Sequence, residues 1–134
     1  MRVTLRTKGQ FGRFSHEEEP MNDELLASIE REVLSWPGVS KEAGGGSFRV
    51  PPATVYRFGR RHIGHIHHDG VADLPFPRDM HDGLISDGLA EPHRGGFPAV
   101  VSYYIQGPED VARTVDLFRM NYDRAKVAAE RRKG

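Results

Sequence analysis

The stretch Thr54-Val55-Tyr56-Arg57-Phe58-Gly59-Arg60-Arg61-His62-Ile63-Gly64-His65-Ile66-His67-His68 decides the fold. Its first five residues are β-branched or aromatic apart from one arginine, the composition of a half-buried strand. Gly59-Arg60 fits a two-residue type II′ turn, which wants glycine first, so Arg61 to His68 reads as the return strand of an antiparallel hairpin. Pairing across that turn sets Phe58 opposite Arg61, Tyr56 opposite Ile63 and Thr54 opposite His65. Alternation sends His65 and His67 to one face. His62 and His68 fall on the other and read as solvent-facing, unless a bulge at Gly64 shifts the register.

Working outward, Leu25, Leu26, Ile29 and Val33 recur at helical spacing after a cap at Asn22 or Asp23, and Trp36-Pro37-Gly38-Val39 ends that helix. Phe48 to Val50 is strand-like but is cut off by Pro51-Pro52, as at an edge. A short helix fits after Pro77, with Met80 and Leu84 on one face and Gly88 as its C-cap. Ala99 to Gln106 is the most β-prone run. Pro108, Glu109 and Asp110 open a final helix through Val111, Val115, Phe118 and Tyr122. Helices and short antiparallel connections in this order predict an α+β fold: an antiparallel β-sheet with about three helices packed on one face. Residues 1–20 read as an N-terminal arm, either a short edge strand around Val3 and Leu5 or a loosely attached segment. Residues 21–134 read as a single α+β domain.

Composition narrows the function classes. The chain has 134 residues, the size of one domain with a core that needs no staple. Lysine plus arginine equals aspartate plus glutamate at 19 each, and that balance weighs against a dedicated binder of nucleic acid or anionic membrane. No cysteine is present, so thiol catalysis, disulfides and cysteine-ligated metals are excluded. No apolar run approaches a membrane span and no signal-peptide core is visible, so a cytoplasmic location without a membrane partner is expected.

Several blocks also carry a resemblance. Trp36-Pro37-Gly38-Val39, Gly59 to His67, Asp73-Leu74-Pro75-Phe76-Pro77-Arg78, Ala90-Glu91-Pro92-His93 and Asp116 to Tyr122 follow one another over about residues 25–125. In this series the chain resembles the luciferase-domain family of small bacterial and fungal proteins. It departs from the family pattern at Pro51-Pro52 and at Arg94-Gly95-Gly96-Phe97-Pro98. The family name implies light-producing monooxygenation. However, the chain has no G-x-G-x-x-G phosphate turn and is too short for the barrel of flavin-dependent bacterial luciferases. The layout of elements is also similar to MmcQ/YjbR-like proteins, which implies a CyaY-like α+β fold linked to DNA binding.

Histidine is the one compositional excess: seven in all, four of them from His62 to His68. His65 and His67 share a strand face, so with a third ligand they could hold a divalent metal, and Asp73, Asp69 and His93 are the available partners. The candidate site is therefore His65, His67 and His93 as acid–base groups, or His65, His67 and Asp73 as metal ligands. Asp73 and Arg78 would serve as ligand-binding groups, Arg78 for an anion. The alternative is that these histidines hydrogen-bond locally and hold the Leu74–Pro77 loop. A second function class rests on Arg57, Arg60 and Arg61, which with Tyr56 and Phe58 make a basic–aromatic hairpin that could lie against a nucleic-acid backbone. Ser86 and Ser102 have no nucleophile context. No motif names a cofactor, and the partner expected is an unidentified small molecule.

Overall fold

The computed structural model describes residues 21–46 and 51–133; the arm at 1–20 and the strand expected at 48–50 lie outside them. Helix α1, Asp23–Val33, is capped by Asn22, whose Oδ1 accepts from the Glu24 and Leu25 amides. Then come β1 (Val39–Gly44), β2 (Ala53–Phe58), β3 (Arg61–His67) and β4 (Val71–Pro75), followed by α2 (Arg78–Ser86), β5 (Glu91–Pro92) and β6 (Val100–Tyr104). A 3-10 turn at Pro108–Asp110 leads into α3, Val111–Lys133. The six strands form one antiparallel sheet in the order β1-β2-β3-β4-β6-β5, so the α+β expectation holds. Among the described residues, no helix is long and apolar enough to cross a membrane.

Three of these strands differ from the sequence expectation: β1, β4 and the two-residue β5. Lys41 and Glu42 disguise β1, an edge strand whose burial is shallow along its length. In β4, Asp73 and Pro75 suggested a loop, but this strand lies between β3 and β6 and hides its carboxylate inside the sheet.

The hairpin register also needs correction. Phe58 pairs with Arg61 as expected, but a bulge leaves Ile63 without a partner across the ladder. Beyond it Tyr56 pairs with Gly64, Val55 with His65 and Thr54 with Ile66. One extra residue reverses the parity on either side of it. His62 therefore falls on the same face as His65 and His67, and is not a solvent-facing residue of the opposite side. Ile63, Gly64 and Ile66 point toward the helices.

The reason for the bulge lies in α3. A Cβ on Gly64 would stand 2.5 Å from Cε1 of Phe118 and 3.2 Å from Cδ2 of Leu74, so only glycine lets the helix seat so closely on β3. Phe118 fills that space edge-on to Tyr56. Beyond the bulge β3 and β4 no longer pair, and Asn121 takes the place of the missing ladder: its Nδ2 donates to the carbonyls of Ile63 at 3.1 Å and Pro75 at 2.7 Å. Ile29, Val33, Trp36, Leu84, Leu117 and Tyr122 complete one core with these groups. The Tyr56 hydroxyl donates to Glu30, which also accepts from Lys41 at 2.9 Å, so α1 is tied to both β1 and β2.

Gly64→Ala is expected to cost about 1–3 kcal/mol in urea unfolding through overpacking against Phe118. Adding Phe118→Leu to that variant is expected to recover part of the loss. Equal and additive losses in the two single variants would show that Gly64 and Phe118 do not compete for the same space.

Candidate functional site

On the sheet face away from α1 and α3, the ladder aligns one residue from each strand: Glu42, Val55, His65, Asp73, Ser102 and Glu91 are successive cross-strand partners. Asp73 sits in the middle of this row and is 1% exposed. Its Oδ1 accepts from the Ser102 hydroxyl at 2.7 Å, and that oxygen accepts in turn from the Arg94 amide at 3.1 Å.

The other oxygen, Oδ2, meets three imidazole Nε2 atoms: His67 at 3.0 Å, His65 at 3.3 Å and His93 at 3.4 Å. The structure thus brings together His65, His67, Asp73 and His93. Arg78 is the exposed first residue of α2, and no hydrogen bond or ion pair joins it to the cluster among the described residues. Asp69, another available partner, is paired with Arg94 at 2.7 Å.

The far nitrogen of each ring determines what the near one can do. His67 Nδ1 lies 2.9 Å from the Pro51 carbonyl, which only accepts, so Nδ1 carries a proton. His93 is the reverse: its Nδ1 accepts from the Gly95 amide at 3.0 Å and the Phe97 amide at 3.2 Å, so its proton is on Nε2 and points at Asp73. His65 Nδ1 faces Nε2 of His62 at 3.1 Å, with the two rings stacked. Burial, then the neighbouring His65 and the Arg57 charge, push the His62 pKa down to about 4, so His62 is neutral at neutral pH.

Charge in the cluster follows from the same contacts. Burial by itself would raise the pKa of Asp73, but hydrogen bonds from His65, His67 and Ser102 hold the carboxyl well below the usual range. Burial opposes charging His67, but its bonds to Asp73 and to the Pro51 carbonyl outweigh that and raise its pKa. The pair is therefore an ionised carboxylate beside an imidazole that readily holds positive charge.

Sequence reasoning passed over three contributors. Ser102 was set aside for want of a nucleophile context, but its place opposite Asp73 makes it the carboxylate's fixed donor. His62 reads as solvent-facing unless a bulge at Gly64 shifts the register, and the structure has that bulge, at Ile63-Gly64. Pro51 read as an interruption, although it presents the carbonyl that orients His67. Pro51 and the loop after His93 each hold a histidine of this cluster through backbone groups.

The basic hairpin is arranged differently from a basic–aromatic platform. Tyr56 is buried toward the helices, and Phe58 packs edge-on to Tyr122. Arg57 is paired with Glu42 at 3.1 Å and donates to the Arg60 carbonyl. Arg60 and Arg61 are exposed at the turn.

A family model described as Luciferase domain matches residues 60–121, which include every member of the cluster. No curated protein matches the chain, and no solved structure does.

Histidine tautomers are directly measurable. Long-range 15N–1H spectra are expected to show His93 with an unprotonated Nδ1 and His67 with a protonated one. A protonated Nδ1 on His93 would contradict the two amide contacts on that atom.

Proposed function

Residues 60–121 belong to the luciferase-domain family, and within them we propose that His65, His67 and Asp73 form a divalent-metal centre serving a small-molecule site. One candidate ligand atom from each of these residues lies within 4.8 Å of the other two. The observation that carries the reading is the convergence of three imidazole nitrogens on Oδ2 of Asp73. A carboxylate oxygen has two lone pairs, so it cannot accept well-directed bonds from all three. His93, fixed as a donor, takes one. The other faces His65 and His67, and the space between these atoms calls for positive charge, either a proton or a metal ion.

Two features favour the metal. The far nitrogen of His67 donates to a backbone carbonyl, the arrangement that orients metal-bound imidazoles. His65 has neutral His62 beside its far nitrogen and can do the same. The separations of 3.0 and 3.3 Å from Oδ2 are also close to the edge of a coordination polyhedron whose bonds are about 2.0–2.2 Å long.

Two imidazoles and one carboxylate leave coordination positions for water or substrate, and this ligand type serves both zinc hydrolases and non-haem iron oxygenases. His65, with a quarter of its side chain exposed, marks the side from which a ligand approaches. His93, Ser102 and the Arg94 amide hold the carboxylate in place and do not bind the ion.

Cobalt(II) titration followed by its visible absorption tests this. The wild-type chain is expected to take up about one equivalent, with zinc(II) displacing it by competition. His65→Ala and Asp73→Asn should abolish uptake, and His93→Ala should weaken it by about 10–100-fold as an outer-shell change does. His65 is partly exposed, so its alanine variant should fold, which circular dichroism would verify. A wild-type chain that binds no cobalt, or a folded His65→Ala variant that binds it normally, would sink the proposal.

A further inference from the structure

Where β3 and β4 part beyond the bulge, α3 does not fill the gap. A cleft of about 140 Å³ remains there, lined by Arg61, His62, Pro75, Phe76, Asn121 and Arg124 among others. We propose that this cleft binds a small organic carboxylate, with the anionic head between Arg61 and Arg124 and the apolar body against Pro75 and Phe76.

The lining suits such a molecule. It includes two arginines and a histidine together with a proline and a phenylalanine. No acidic residue lines the cleft, and among the described residues no ion pair engages Arg61 or Arg124. Asp79 is near enough for its charge to favour the cationic form of Arg124, but it forms no ion pair with it among the described residues.

Arg124 is held in place: its Nη1 donates to Oδ1 of Asn121, the residue whose amide group bridges the parted strands. Burial, and then the like charge of Arg61, weigh against the charged form of Arg124. A bound anion would offset both. Guanidinium forks match carboxylate geometry, which makes two of them facing one cleft a selective arrangement. The volume is close to that of buried cavities that admit a benzene-sized molecule, so the fitting class is a small aromatic or aliphatic acid.

His62 relates the cleft to the histidine cluster. It lines the cleft, and its Nε2 lies 3.1 Å from Nδ1 of His65. An acid bound here would lie one imidazole away from the proposed metal ligands. That relation rests on the metal reading, whereas the cleft stands on its own lining.

Benzoate is the probe, followed by amide chemical shifts, with benzyl alcohol and inorganic phosphate as comparisons. Millimolar benzoate is expected to shift the Arg61, Phe76 and Asn121 amides saturably, with both comparison compounds binding more weakly. Arg61→Gln and Arg124→Gln should each weaken benzoate by about tenfold, the value of a charge-assisted hydrogen bond. His67→Ala, which removes a proposed metal ligand, should leave benzoate binding intact even if it abolishes cobalt uptake. The proposal is overturned if benzoate does not saturate, or if Arg124→Gln binds it as well as wild type. It is equally overturned if phosphate matches benzoate, or if a His67→Ala variant that circular dichroism shows to be folded loses benzoate, because the acid would then depend on the histidine cluster.

Discussion

An ionised carboxylate at the centre of a sheet imposes its requirements on everything around it. Asp73 is 1% exposed, and burying such a charge without partners costs several kcal/mol or more (~ the effective penalty per ion). The partners come from separate parts of the chain: His65 and His67 from β3, Ser102 from β6, and His93 from the segment after β5. The register of β4 against both neighbours is therefore set by electrostatics as well as by apolar pattern. A slip of one residue would turn Asp73 into the apolar core and Leu74 out of it. Fold and site are consequently one problem in this protein, since the strands that make the sheet are also those that neutralise the carboxylate.

The bulge at Ile63 is the second constraint, and it follows from the core. Phe118 needs the space that Gly64 leaves open, and the strand yields an extra residue where the helix presses closest. Ile63 then presents a carbonyl outside the ladder, which Asn121 satisfies together with that of Pro75. The same displacement swings His62 onto the face of His65. A packing accommodation on one side of the sheet thus extends the histidine row on the other and opens the cleft beside it.

Much of this was legible in the sequence, and the remainder was hidden for physical reasons. Helical periodicity marked α1 and α3 because each buries one stripe, and Gly59-Arg60 marked the turn by its own conformational demand. The pairing of His65 with His67 needed only alternation, which holds within the stretch beyond the bulge. The strand β4 was obscured because its polar residue is buried, against the usual rule, through partners distant in sequence: Ser102 lies 29 positions away. The edge strand β1 was obscured because its solvent-facing residues look like a loop. Tyr56 and Phe58 read together with Arg57, Arg60 and Arg61 as one patch, but alternation sends them to the face opposite Arg57, where apolar burial outweighs any stacking role. Arg78 reads as an anion-binding group near the start of the second helix, but it opens α2 in solvent.

The three histidines around Asp73 differ less in distance than in what lies behind them. Each Nε2 is 3.0–3.4 Å from the same oxygen, so proximity alone would give them one role. Behind His93 are two amide donors, which fix its near proton and make it a permanent hydrogen-bond donor. Behind His67 is a carbonyl, which fixes the far proton and leaves the near nitrogen to hold whatever positive charge the site contains. Behind His65 is a neutral imidazole able to accept or donate, so that ring can follow the state of its partner. The backbone segments that supply these contacts are Pro51 and the loop after His93. Changes there alter the chemistry open to the cluster while every side chain in it stays the same.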